Sequence, residues 1–332
     1  MTVPSIQTLV AADPALSTAV RSGLDTVETR LREVVRSSHP LLTQTSRHLV
    51  DAGGKRFRPL LALLAAHLGD ASRPAVIDAA VVVELTHLAT LYHDDVMDEA
   101  GLRRGAISAN ARWTNTVAIL TGDYLFARAS DLTAGLGTEA THLQARTFAR
   151  LVEGQIAETA GPAVGQDPVE HHLKVLGDKT GSLIATSARL GAMTAGADSA
   201  QVETVARFGE AIGVAFQLSD DLIDVLSETQ ESGKTPGTDL REGIQTLPVL
   251  LVLAQGSPAD ARLQALLSRA LPDDAEHAEA LSGLRAHPAM DRARDRLTSY
   301  ADEARSIGHE LPAGSVRDAL VGLADYVLER TG

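Results

Sequence analysis

"VIDAAVVVELTHLATLYHDDVM", residues 76–97, decides the fold. The run is rich in Ala, Leu and Val and has no internal glycine or proline. It is too long for a strand and fits a buried helix. Its far end leads into three aspartates, Asp94, Asp95 and Asp98. In a helix Asp94 and Asp98 stand one turn apart on the same face, where two like charges repel. A divalent cation between them reverses that sign. Mg²⁺ takes one or two carboxylates and completes its octahedron with phosphate oxygens and waters. A solvated acidic helix end is the plainer alternative for this stretch alone. His87 lies seven residues before Asp94, two turns back on that face.

Working outward, the same helical character recurs at 115–134, 141–160, 181–195 and 201–227. "TLPVLLVLAQ" opens a further helix with Pro248 in its first turn. "SVRDALVGLADYVLER" reads as an amphipathic helix that begins at a serine cap. Glycine and proline punctuate the chain at 53–54, 69–74, 161–168, 233–237 and near 272. No alternating strand segment and no fixed repeat stands out. The expectation is one all-α domain over residues 1–332, a bundle of long helices around a central cavity. The first 15 residues read as mobile, and the more polar segment 256–315 as peripheral.

Composition narrows the function. The 332 residues are 44% hydrophobic and 22% charged, an ordinary globular balance. A net charge of −13 argues against a general nucleic-acid binder. With no cysteine there is no disulfide framework, thiolate metal site or thiol nucleophile. The N-terminus lacks a basic segment followed by an apolar one, so no signal peptide is read. The longest unbroken apolar runs, such as 247–254, fall short of the roughly 20 residues that span a bilayer. A cytoplasmic protein without a transmembrane segment is expected. Only four of the 30 basic residues are lysines: Lys55, Lys174, Lys179 and Lys234.

A second acidic cluster raises the stakes of the first. "FQLSDDLIDV", residues 216–225, sets Asp220 and Asp224 at the same spacing, with Asp221 between and Gln217 one turn before Asp221. Two such clusters inside apolar helices are costly to bury without partners. Facing each other across a cavity they can hold several divalent cations, a constellation suited to a pyrophosphate. Basic segments supply the complement. "GGKRFRP", residues 53–59, offers Lys55 as a point charge and Arg58 as a fork. Arg103 and Arg104 follow the first cluster, Lys179 and Thr180 precede Gly181, and Lys234 lies in the glycine-punctuated "SGKTPGTDLREG". Two polyanionic ligands with a hydrocarbon remainder fit this arrangement. Metal-assisted loss of diphosphate from an allylic carbon is the matching chemistry, in a cavity that keeps water from the carbocation.

GGKRFRP, THLATLYHDDVMD, LRRG, GDYLFARA, KTGSL, FQLSDDLID and GKTPGTDLREGIQTLPVL occur in this order from about residue 45 onward. In these motifs the chain resembles the trans-isoprenyl diphosphate synthases, or polyprenyl synthetases. The resemblance implies an all-α isoprenoid synthase-type fold, usually a homodimer, using several Mg²⁺ ions. It implies Asp94, Asp98, Asp220 and Asp224 as metal ligands, supported by Asp95 and Asp221. Arg103, Lys179, Gln217 and Lys234, with Thr180 beside them, match the allylic diphosphate site. Lys55, Arg58, His87 and Arg104 match the isopentenyl diphosphate site. Asp94, Asp98, Lys179, Asp220 and Lys234 are the expected catalytic group. Where many members carry a lysine after "DLREG", this chain has Ile244.

The growing hydrocarbon should run away from the metals, past Ala89 and Thr90 and then Thr86. In the family, bulky aromatics one turn before the first aspartate stop growth at fifteen carbons. Small residues here favour an all-trans product longer than C20. Geranylgeranyl diphosphate, at C20, is the runner-up. A class I terpene cyclase and a non-catalytic subunit are remoter, since GGKRFRP with His87 argues for a second diphosphate site and both aspartate clusters are intact.

Overall fold

The computed structural model describes residues 13–227 and 236–331. The first half comprises α1 (Pro14–Val34), α2 (Pro40–Asp51), α3 (Phe57–Ala66) and α4 (Pro74–Met97). A hairpin follows, β1 (Leu102–Arg103) and β2 (Ala106–Ile107), then α5 (Ala109–Arg112), α6 (Asn115–Gly135) and α7 (Thr138–Ala160). Next come α8 (Pro168–Leu176), a π-helical segment (Gly177–Gly181), α9 (Ser182–Thr194) and α10 (Ser199–Leu226). The remainder is α11 (Thr238–Glu242), α12 (Leu247–Gln255), α13 (Ala261–Leu267), α14 (Asp274–Arg285), α15 (Ala289–His309) and α16 (Ser315–Glu329).

Two helices organise the bundle, for the reason their sequences suggest. α4 is apolar on every side, and so is surrounded by α1, α3, α6 and α9. Leu85, Leu88 and Tyr92 are fully buried along it. Each such side chain contributes about 1.5–3 kcal/mol of burial. α10 is capped by Asp198, whose side chain accepts from Ala200 N–H at 2.9 Å. It packs against α9, α15 and α16. α3 and α9 cross so closely that a Cβ on Gly191 would lie 2.0 Å from the Ala62 carbonyl oxygen. A single large core runs from Leu16 on α1 to Val327 on α16.

Several sequence expectations need correction. The count of unbroken apolar runs missed α4, which is long and apolar enough to cross a membrane. In the fold 67% of its most apolar stretch is buried, as in the core helix of a bundle. Two short strands do occur, paired antiparallel at Leu102–Ile107 and Arg103–Ala106. Ser315 is the first helical residue of α16 and not its cap; Gly314 holds the cap position. The polar segment 256–315 supplies α15, whose stripe of Ala293, Leu297, Ala301, Ala304 and Ile307 is buried. The helix expected from residue 181 has no separate start: α8 passes through the π-helical residues straight into α9.

Candidate active site

The first aspartate cluster divides by face. Asp94 is half-buried, Asp95 fully buried and Asp98 exposed at the end of α4. Burial pushes Asp94 up to about 6; the Lys179 ammonium opposes this and Asp98 adds to it. Asp95 turns inward and accepts from Arg103 Nε at 2.5 Å. The same guanidinium reaches to 3.6 Å from Asp98. Arg103 is thus tied to the carboxylates by the hairpin that carries it. Arg104 (φ 54°) and Gly105 (φ 75°) form its two-residue turn, both in the left-handed region that such tight hairpins require.

Behind this face lies a buried cluster rich in cations. Glu84, 1% exposed, accepts from Arg56 Nη1 at 2.6 Å and stands 3.6 Å from Arg104 Nη2. Arg56 also pairs with Glu28. Arg104 donates to the Gly53 and Leu49 carbonyls. Gly54 has φ 142°, which L side chains rarely adopt, and a Cβ there would also lie 2.8 Å from Arg104 Cζ. Burial lowers Arg58 to about 10, with Glu84 opposing and Arg104 adding. Its Nε is buried without a partner. Burial, then Arg58 and Arg104, hold His87 well below its ordinary value, so it is neutral near pH 7. Of the four residues expected at the isopentenyl diphosphate site, the structure brings Arg58, His87 and Arg104 into mutual range. Lys55 stands 5.8 Å over the Phe216 ring. Arg56 and Glu84 were missed. Their signals were an arginine inside GGKRFRP and a lone acid in an apolar helix.

The second cluster is approached from α8, the π-helical segment and α16. Lys179 Nζ pairs with Glu158 of α7. Thr180 Oγ1 donates to Gln217 Oε1 at 3.5 Å, and Gln217 Nε2 donates to Asp221 Oδ1 at 3.3 Å. His172 Nε2 lies 3.3 Å from the other oxygen of buried Asp221. Asp220 pairs with Arg330, just beyond α16. The Asp224 carboxylate accepts from Thr238 and Asp239 N–H, each at 3.2 Å, at the start of α11. Lys234 lies outside the described residues. His172, Glu158 and Arg330 are neighbours that no motif announced.

A cleft of about 1160 Å³ is lined by Asp98 of the first cluster, by Glu158, Lys179 and Ile244, and by His172, the neighbour of Asp221. A smaller pocket of about 100 Å³ opens beside Asp94, between Thr90, Phe148 and Leu151. Leu151 also belongs to an apolar cluster with Ala79, Val82, Val83, Ala140, Leu183 and Leu190, farther back along α4. Among the residues expected to set chain length, Thr90 lines this pocket. Ala89 is fully buried in the main core. Thr86 is buried with its hydroxyl on the Val82 carbonyl. Phe148, opposite Thr90, had no signal in the sequence.

Among the described residues no three His, Asp or Glu side chains gather closely enough to hold a metal unaided. Paired carboxylates that leave coordination to phosphate and water suit Mg²⁺, and the Asp94 and Asp98 spacing fits it. Carboxylates at the end of α4, a buried cation cluster behind them and a small pocket at Thr90, Phe148 and Leu151, in one helical bundle, fit an enzyme of the isoprenoid synthase class. The family model of polyprenyl synthetase matches residues 39–284. A nonaprenyl diphosphate synthase of Mycobacterium tuberculosis is 51% identical over 96% of both chains. A crystal structure of geranylgeranyl pyrophosphate synthase from Corynebacterium glutamicum, complexed with calcium and isoprenyl diphosphate, superposes with a TM-score of 0.87. It is 46% identical and the match covers 96% of this chain and 98% of that one. A decaprenyl diphosphate synthase from Rhodobacter capsulatus, 34% identical, also gives 0.87, over 96% of this chain and 99% of that one. The chain belongs to the polyprenyl synthetase family and is a prenyltransferase.

Proposed function

We propose that the protein condenses isopentenyl diphosphate with an allylic diphosphate and releases an all-trans polyprenyl diphosphate longer than C20. The observation that carries this reading is the charge division of the site. Asp94 and Asp98 stand together beside Lys179 at the end of α4, while Arg58, Arg104 and neutral His87 gather about buried Glu84. The cation side lacks anions for its charge, as a diphosphate pocket must. Asp94, Asp98, Asp220 and Asp224 would hold Mg²⁺. When bound, it supplies Lewis-acid stabilisation of the departing diphosphate. Lys179 and Gln217 orient the allylic diphosphate, and Lys55, Arg58, His87 and Arg104 hold isopentenyl diphosphate. Lys234 belongs to the allylic set by the family motif. The allylic C–O bond breaks, the isopentenyl double bond attacks that carbon, and a proton leaves to the released pyrophosphate. Apolar walls exclude water, which would otherwise capture the cation.

The smaller pocket at Thr90 supports growth away from Asp94. Incubation with isopentenyl diphosphate, farnesyl diphosphate and Mg²⁺, followed by product sizing, tests the reading. Products longer than twenty carbons are expected, and a product that stops at fifteen overturns it. A C20 product is the second reading, favoured by the similarity to the Corynebacterium geranylgeranyl enzyme. A homodimer is part of the proposal: α6 presents Ile119 (43% exposed) and Leu120 (59%) to solvent. The cytoplasm is the proposed location.

A further inference from the structure

We propose that Arg330 is a built-in counter-cation for the second aspartate cluster, displaced by metal, so that α16 senses whether that cluster is filled. The inference rests on the metal role proposed for Asp220. Arg330 follows α16 and its side chain is only 8% exposed. Its Nη2 donates to Asp220. Its guanidinium lies 4.4 Å over the Phe216 ring, one turn before Asp220. Its other terminal nitrogen, Nη1, is buried with no hydrogen-bond partner. A guanidinium left with a free buried N–H is half-satisfied, which marks a position poised for another anion. Lys55 stands over the same ring at 5.8 Å, so two cations approach one aromatic ring, with Asp220 holding the nearer one.

A divalent ion on Asp220 would place its charge against Arg330 and take the oxygen that holds it. The guanidinium must then leave that carboxylate. Phosphate oxygens of a bound substrate offer the same fork geometry as the carboxylate it loses. Tyr326 and Val327 bury the last turns of α16 in the main core, so the movement begins at the end of the helix.

The test uses Mn²⁺ alone, titrated into the full chain and followed by electron paramagnetic resonance. Arg330→Gln should bind Mn²⁺ about three- to fivefold more tightly than the wild type, because no charge pair has to break. In an Asp220→Asn background the same substitution should make no difference. A second measurement needs no variant: saturating Mn²⁺ should speed amide hydrogen exchange over residues 315–331 in the wild type. Equal Mn²⁺ affinities for wild type and Arg330→Gln, or unchanged exchange over that segment, overturn the proposal. Prenyl transfer by the wild type is scored separately. Its absence would sink the proposed function while leaving the Mn²⁺ result to stand.

Discussion

Replacing Asp94 with asparagine should stabilise the metal-free protein while removing its activity. Burial lifts this carboxyl from 3.8 to about 6. A raised carboxyl pKa means the fold prefers the protonated form. The ionised group is therefore a cost, absent below about pH 4 and fully present above about pH 6. The gap corresponds to about 3 kcal/mol at most. Asp94 is partly exposed, and solvent screening reduces the figure to about 1–2 kcal/mol. Asparagine keeps the shape and removes the charge. For a chain of this size the gain appears as a rise in Tm of about 1.5–3 °C. The assay is thermal unfolding in EDTA at about pH 7.5 and about pH 5, where the gain should shrink to roughly half. Prenyl transfer should fall on the order of 10²–10³-fold. A variant that is less stable than wild type, or equally stabilised at both pH values, would refute the reasoning.

Glu84→Gln leaves Arg56 and Arg104 facing a neutral amide and should cost about 3 kcal/mol in urea unfolding. In steady-state kinetics the KM for isopentenyl diphosphate should rise more than kcat falls. Thr90→Phe fills the small pocket beside Asp94 and should shorten the product, while Phe148→Ala opens its opposite wall and should lengthen it; chromatographic sizing decides both. Ala89→Phe instead forces a ring into closed core and should cost about 1–3 kcal/mol of stability. Gly191→Ala sets a methyl against the Ala62 carbonyl and should cost about 3 kcal/mol, measured by the urea midpoint.

The long helices were legible because each runs on without an internal proline and keeps apolar residues at helical spacing, and the aspartate spacing needs only helical geometry to place Asp94 and Asp98 on one face. Facing was harder. α4 is buried nearly all round, so no polar stripe distinguishes the side of Thr90, which lines a pocket, from that of Ala89, which does not. Partners distant in sequence were invisible. Arg330 meets Asp220 from 110 residues away, and Arg56 meets Glu84 from 28. No local pattern encodes either pair; both exist because helices far apart in the chain end at the same place. Arg104 had a motif but not its setting: it hangs from the Gly53 carbonyl and a buried glutamate as much as it faces the site. The hairpin escaped notice because strands of two residues show no alternation.

The π-helical residues have a consequence for how the site can change. Across Gly177–Gly181 the ladder skips, with Ser182 N–H reaching back to the Gly177 carbonyl. One surplus residue is absorbed, so α8 and α9 run on out of phase with each other. The segment is wedged between neighbours: Cβ atoms on Gly154 and Gly213 would lie 2.9 Å from Asp178 Cβ and 2.7 Å from Gly181 Cα. Arg150 fastens Asp178 and Glu210 together beside it. Lys179 and Thr180 therefore sit at an angular setting that neither flanking helix could provide. Losing one residue here would leave a perfectly regular helix that points its cation the wrong way. The irregularity is a phase shifter, and it lets the bundle keep one rotation for packing and another for chemistry.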